Sequence, residues 1–199
     1  MLERETINQA SRPSGLFGRM IGEVIALTNR PRNRWLFNQL DVGAGLKGLE
    51  FGFGNGEVLT SFLACSTGSS AVGIDWSQSM IDAAISRNRA AVANGRLQLL
   101  LGSITDPALN IGGPYDRIWS SNVIQMVADR PALFARLLSV MSDAGLLALA
   151  FQPRGPKAPP PNELAPKCAA ELSQVGFGTV ETRWMPKASP PAFCILASA

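Results

Sequence analysis

The run Leu49-Glu50-Phe51-Gly52-Phe53-Gly54-Asn55-Gly56 sets alternating glycines where an apolar stretch gives way to a helical pattern. At a strand-to-helix turn, glycine allows a sharp reversal and a close approach of backbone to ligand, and the first helical amides lie open to a polar group. A dinucleotide loop, Gly-x-Gly-x-x-Gly, needs its third glycine at position 57; this chain has Glu57 there, whose carboxylate repels a pyrophosphate, and its glycine falls one residue earlier. The loop is therefore built for close approach by something other than a diphosphate.

The pattern around this loop alternates. Strands are predicted at Gly48–Phe53, Ala71–Asp75, Leu97–Leu101, Asp116–Ser121 and Gly145–Gln152, with helices at Glu57–Ala64, Ser79–Ala93 and Arg130–Met141. That rhythm implies a parallel sheet with helices on both faces. Ahead of it, Phe17, Met20, Ile21, Val24, Ile25 and Leu27 recur at helical spacing, predicting an amphipathic helix from Gly15 that stops at Asn29-Arg30-Pro31, then a short helix around Arg34–Leu40. The proline-rich run Gln152–Asn162 reads as a surface connection or lid, followed by a helix at Glu163–Val175 and a closing strand pair at Thr179–Met185 and Ala192–Ser198.

A chain of 199 residues suits one domain, and 46% apolar against 17% charged residues suits a folded globule. No run approaches the roughly 18 apolar residues of a membrane span, and the polar start Met1-Leu-Glu-Arg-Glu-Thr is unlike a signal peptide, so a cytoplasmic protein is expected. The chain has no histidine, and its three cysteines, Cys65, Cys168 and Cys194, are widely spaced. Zinc sets, disulfide frameworks and imidazole-driven triads are thereby disfavoured, and no metal is expected. The net charge of +3 is far from the dense basic stripe of a dedicated nucleic-acid binder. Arg30, Arg32 and Arg34 read as a solvated helix-end face, with a phosphate or membrane contact as the alternative.

The spacing Glu-x-Gly-x-Gly-x-Gly at Glu50–Gly56 resembles motif I of the class I S-adenosylmethionine-dependent methyltransferases. The resemblance continues through Gly73-Ile74-Asp75-Trp76-Ser77, then through Tyr115–Met126 and Leu137–Leu146, which look like the small-molecule branch containing the quinone-biosynthesis enzymes. It covers about half of the chain, Gly48 to Gln152. It implies an α/β fold with a Rossmann-like, doubly wound, seven-stranded sheet, mostly parallel with an antiparallel C-terminal strand. It also implies one domain: a helical cap (1–46), a cofactor-binding core (47–152), and a loop, helix and strand pair (153–199).

What the resemblance implies for the site is S-adenosylmethionine held by Glu50, Gly52, Gly54, Asn55, Gly56, Asp75, Trp76, Met80, Ser103, Ile104 and Asn122. Asp75 would accept both ribose hydroxyls, Trp76 and Met80 would line the adenine, and Ser103 and Ile104 would meet its edge. Ser103 stands where many members carry an acid, with Asp106 close enough in sequence to substitute. Asn122 and Gln125, in the loop leaving the fourth strand, are the candidate catalytic residues. Neither is an effective base near neutral pH, so the expected reaction is in-line methyl transfer by positioning to a small-molecule acceptor, yielding S-adenosylhomocysteine. The alternatives are a lipid or lipid-like quinone acceptor at a membrane surface, through the N-terminal helix, and a cofactor-binding partner protein without catalysis. Nucleic acid is disfavoured because Asn122-Val-Ile-Gln differs from the Asn-Pro-Pro-Tyr type of site.

Overall fold

The computed structural model describes residues 29–65 and 67–199. Most of the helix predicted from Gly15 lies outside them. Five strands follow the predicted order: β1 (Lys47–Phe51), β2 (Ser70–Asp75), β3 (Leu97–Leu101), β4 (Tyr115–Ser121) and β5 (Met141–Phe151). They pair in parallel, and the hairpin β6 (Val180–Trp184) and β7 (Phe193–Ser198) joins antiparallel through β7. The order β3-β2-β1-β4-β5-β7-β6 makes the predicted seven-stranded sheet.

Alternation along each strand divides the apolar side chains between two cores. One face carries Gly48, Trp119, Ala148, Ala150 and Cys194, and is covered by helical residues 29–37 (α1) with α2 (Glu57–Cys65) and α3 (Gln78–Arg87). The other carries Leu49, Phe51, Ile118, Leu147, Leu149 and Ile195. There α5 (Arg130–Ser139) and α6 (Pro161–Val175) pack side by side, joined by a two-pronged Arg130–Glu171 pair at 2.7 Å. Between α3 and β3 lies the short α4 (Arg89–Ala93). Buried on both faces, the second half of β5, Leu146–Phe151, reads as an apolar run.

Several boundaries differ from the sequence expectation for identifiable reasons. β1 ends at Phe51 rather than Phe53 because Gly52 turns with φ +66°. The helix expected at Ser79–Ala93 breaks at Asn88, where φ −113° and ψ 29° are not helical. The Asn88 side chain donates to Ala84 O at 3.0 Å and accepts from Thr60 Oγ1 at 2.8 Å, so a buried amide competes with the helix ladder. β5 starts at Met141 rather than Gly145, since Tyr115 N donates to Val140 O and Met141 pairs with Tyr115 before the register shifts. Helical residues also run through Pro31, where a stop was expected, and reach Phe37. Arg32, Leu36 and Leu40 all face inward there, so burial outweighs the local signal.

Strand order reverses between β1 and β4. In open α/β sheets, ligands occupy the crevice beyond the carboxyl ends of strands at that point.

Candidate functional site

Three loops meet at this carboxyl edge: Gly52–Gly56 after β1, Trp76–Ser77 after β2, and Asn122–Gln125 after β4. The first is shaped by its glycines. A Cβ on Gly52 would lie 2.2 Å from Val123 Cγ2, so this residue lets the β1 loop and the β4 loop touch. Gly54, with φ +57°, has nothing within 4 Å of an added Cβ; the space above it is open at the mouth of the crevice.

Asp75 ends β2 and is buried. Its Oδ2 accepts from Gly54 N at 2.9 Å and its Oδ1 from Ser77 N at 3.0 Å, so one carboxylate ties the glycine loop to the start of α3. Ser77 occupies the N-cap position of α3. Burial raises the Asp75 pKa, opposed by the Gly54, Ser77 and Trp76 amides. A carboxylate has about four acceptor sites, so these amides leave it capacity for a hydroxyl donor.

Glu50 is 2% exposed, and its Oε2 has no hydrogen-bond partner. Burial pushes its pKa well above the ordinary 4.5. The Trp119 indole N–H, on the register-paired residue of β4, favours the charged form but falls outside hydrogen-bond geometry; Asp75 and Glu57 push the pKa up. An unpaired buried acceptor of this kind costs about 1–3 kcal/mol, more if charged, and a ligand donor would relieve it.

Among the described residues, the other buried side-chain atoms without a hydrogen-bond partner are Arg32 Nη1 and Nη2, Glu57 Oε2, Trp119 Nε1, Ser120 Oγ and Gln125 Oε1. They belong to β4, its exit loop, α1 and the start of α2, the elements that surround the switch point.

Of the remaining predicted site residues, Trp76 is exposed beside Asp75. Met80 and Ile104 pack inward, in opposite cores. Ser103 Oγ is held in its own turn by Thr105 Oγ1 at 2.8 Å, and Asp106 turns its Oδ1 to Ala108 N instead of toward Ser103. Asn55 accepts from Arg87 Nε through its backbone oxygen. Asn122, at φ +58°, spends its amide on the Gln152 backbone: Nδ2 donates to Gln152 O at 3.0 Å and Oδ1 accepts from Gln152 N at 2.8 Å. This clamp holds the ends of β4 and β5 together. Gln125 Nε2 donates to Asn122 O at 2.7 Å, which leaves its Oε1 as the unused acceptor.

Arg32 differs most from expectation. Arg30 and Arg34 are exposed as a solvated face predicts, but Arg32 is 1% exposed and donates from Nε to Ser121 Oγ at 2.9 Å. Its helical spacing from Leu36 and Leu40 was the signal available in the sequence. The cysteines stand apart from the site, with Cys168 and Cys194 raised by burial to about 11 and about 12 and so poor nucleophiles. No group of acidic, cysteine or histidine side chains among the described residues is arranged to hold a metal.

Comparison with known proteins adds to this geometry. Residues 49–147 match a family described as a methyltransferase domain. The chain is 27% identical over 180 residues to the uncharacterized methyltransferase YdaC of Bacillus subtilis (strain 168), spanning 89% of this chain and 96% of that protein. Among solved structures, an S-adenosylmethionine-dependent methyltransferase from Aquifex aeolicus aligns with TM-score 0.65 at 17% identity, over 83% of this chain and 88% of that one. The N-methyltransferase NodS from Bradyrhizobium japonicum WM9 aligns with TM-score 0.65 at 16% identity, over 85% and 95% of the two chains.

Proposed function

We propose that this chain, whose residues 49–147 match a methyltransferase domain, is a class I S-adenosylmethionine-dependent methyltransferase that passes the cofactor's methyl group to a small-molecule acceptor held beyond β4. The observation that carries the reading is the pairing of two buried carboxylates, Glu50 with an unpartnered oxygen and Asp75 at the end of the next strand, around the open space over Gly54. A cofactor with a cationic amino-acid end and a ribose diol matches both acids, and a diphosphate matches neither.

In this reading Asp75 accepts the ribose hydroxyls, Glu50 meets the ammonium, and the Gly54 strip gives close backbone approach. Trp76 offers its exposed ring to the adenine. S-Adenosylmethionine supplies an electrophilic methyl on sulfur, so the chain's own part is to align the acceptor and exclude water. Gln125 Oε1 is the acceptor atom available to orient a donor hydrogen on the substrate. Asn122 works one step back as a positioning residue, by fixing the loop through Gln152. Neither Asn122 nor Gln125 is an effective base at neutral pH, and this reading commits Glu50 and Asp75 to the cofactor, so the substrate brings an acidic or already nucleophilic atom.

Calorimetric titration with S-adenosylmethionine and S-adenosylhomocysteine tests the assignment. Micromolar binding to the wild type, lost in Asp75→Ala, is expected; equal affinity in the variant would overturn it. The lipid-like quinone acceptor rests on the resemblance of Tyr115–Met126 and on Phe17, Met20 and Ile21, which lie outside the described residues. Co-sedimentation with anionic vesicles tests that version, and absence of binding removes it.

A further inference from the structure

We propose that Arg32, with Arg154 beside it, forms a subsite for an anionic group on the methyl acceptor, a carboxylate or phosphate. This rests on the methyl-transfer reading above and names the class of substrate it implies.

Arg32 is fixed at the carboxyl end of β4. Its Nε donates to Ser121 Oγ at 2.9 Å, and that hydroxyl donates to Asn33 Oδ1 at 3.0 Å, which sets the guanidinium plane. The side chain is 1% exposed, yet both terminal nitrogens, Nη1 and Nη2, have no acceptor. The charged group that bears on it is a second cation, Arg154, on the segment that leaves β5. Arg154 is itself steadied by Asn29 Oδ1.

Taking an ion out of water is unfavourable even after relaxation, and a like charge adds to that cost, so buried arginines ordinarily face an acid. Burial and Arg154 together lower the Arg32 pKa to about 9, which leaves it cationic at neutral pH. A guanidinium offering both Nη groups matches the paired oxygens of a carboxylate or phosphate, and bidentate contact fixes direction as well as energy.

The residues that anchor this subsite differ from those assigned to the cofactor. The glycine loop, Glu50 and Asp75 belong to β1 and β2, and the charges that bear on Glu50 are Asp75 and Glu57. Arg32 is anchored on the last residue of β4 and answers to a residue beyond β5, next to the Asn122–Gln125 loop. An anion seated there neutralises two cations and holds the acceptor from one end while Gln125 orients the other. A site that lacks a strong base gains from such a grip, because alignment is the catalysis it has to offer.

The test uses full-length protein saturated with S-adenosylhomocysteine, titrated with inorganic phosphate, benzoate and, as neutral counterpart, benzyl alcohol, followed by ligand-observed NMR. One or both anions should bind at millimolar concentration or tighter, the alcohol should not, and Arg32→Gln and Arg154→Gln should each weaken the anion at least about fivefold. Affinity for S-adenosylhomocysteine should stay within about twofold of wild type in both variants. Arg154→Gln alters an exposed side chain and keeps the test decisive if Arg32→Gln melts early. Absence of anion binding to the wild type, or equal binding to both variants, overturns the proposal. So does a large loss of S-adenosylhomocysteine affinity without anion binding, which would assign the arginines to the cofactor's carboxylate. If the wild type binds no S-adenosylhomocysteine, the methyl-transfer reading fails instead, and the same anion titration on the protein alone still decides the subsite.

Discussion

The β1–β2 half of the carboxyl edge and the β4–β5 half have opposite electrical character. The first presents buried acids, Glu50 and Asp75, and the second a buried cation, Arg32, with Arg154 nearby. They are also built differently. Asp75 accepts from Ser77, 2 positions on, and from Gly54, 21 positions back, whereas Arg32 depends on Ser121, 89 positions away. The acidic half needs one neighbouring strand pair, β1 and β2, with the loop and helix between them; the basic half needs β4 in place and α1 laid across it. Such an edge is suited to a ligand cationic at one end and another anionic at the far end.

Removing the acid at the heart of the first half should have the largest effect. Asp75→Ala is expected to lower affinity for S-adenosylmethionine at least about 100-fold, because two hydrogen bonds to a charged acceptor are lost. Titration calorimetry reads this directly.

The two loop glycines should then come apart. Gly52→Ala drives a Cβ into Val123 and keeps a positive φ, so urea denaturation should show a loss of about 3 kcal/mol. Gly54→Ala has open space and should cost only about 1–2 kcal/mol of stability from its left-handed backbone, while weakening cofactor binding about tenfold or more. Equal losses of stability with unchanged binding in both would mean that the open strip is not a ligand surface.

Glu50→Gln sharpens the electrostatic side of the contrast. The folded protein holds the Glu50 proton more tightly than the unfolded chain, since burial raises its pKa above 4.5. Its share of stability is therefore complete below that value and is lost as pH rises toward the folded pKa. At pH 8, Glu50→Gln should melt no lower than wild type. A bound ammonium would pull the Glu50 pKa back down, so cofactor binding to the wild type should release part of a proton, seen as buffer-dependent heat. The variant should bind about tenfold more weakly and release none.

The smallest effect is expected at Gln125. Gln125→Ala should reduce kcat about five- to tenfold with cofactor affinity unchanged, consistent with the loss of one orienting hydrogen bond. An equal fall in cofactor affinity would move Gln125 to the other half of the edge.

Legibility follows the same division. Glycine spacing and strand-end position pointed to Glu50, Gly54 and Asp75 before any coordinates, and the alternation of elements pointed to the sheet that positions them. Asn122 and Gln125 lie in the loop that leaves the fourth strand, as the sequence suggested, but which of the two amides the Gln152 backbone consumes was hidden, because that contact joins two strands. Arg32 looked like surface because neighbouring arginines in sequence suggest a solvated face; burial of that one residue, and the orphaned ends of its guanidinium, exist only once α1 lies across β4.

By itself, then, the sequence determined the layered parallel sheet, the glycine loop after β1 and the acid closing β2, since hydrophobic period and glycine placement act over a few residues of chain. Tertiary structure alone decided the break at Asn88, the early start of β5 and the burial of Arg32. Each depends on a partner distant in sequence: Thr60 for Asn88, Tyr115 for Met141, Ser121 for Arg32. A local pattern cannot encode such a contact, because its free energy appears only when the two segments are already packed together.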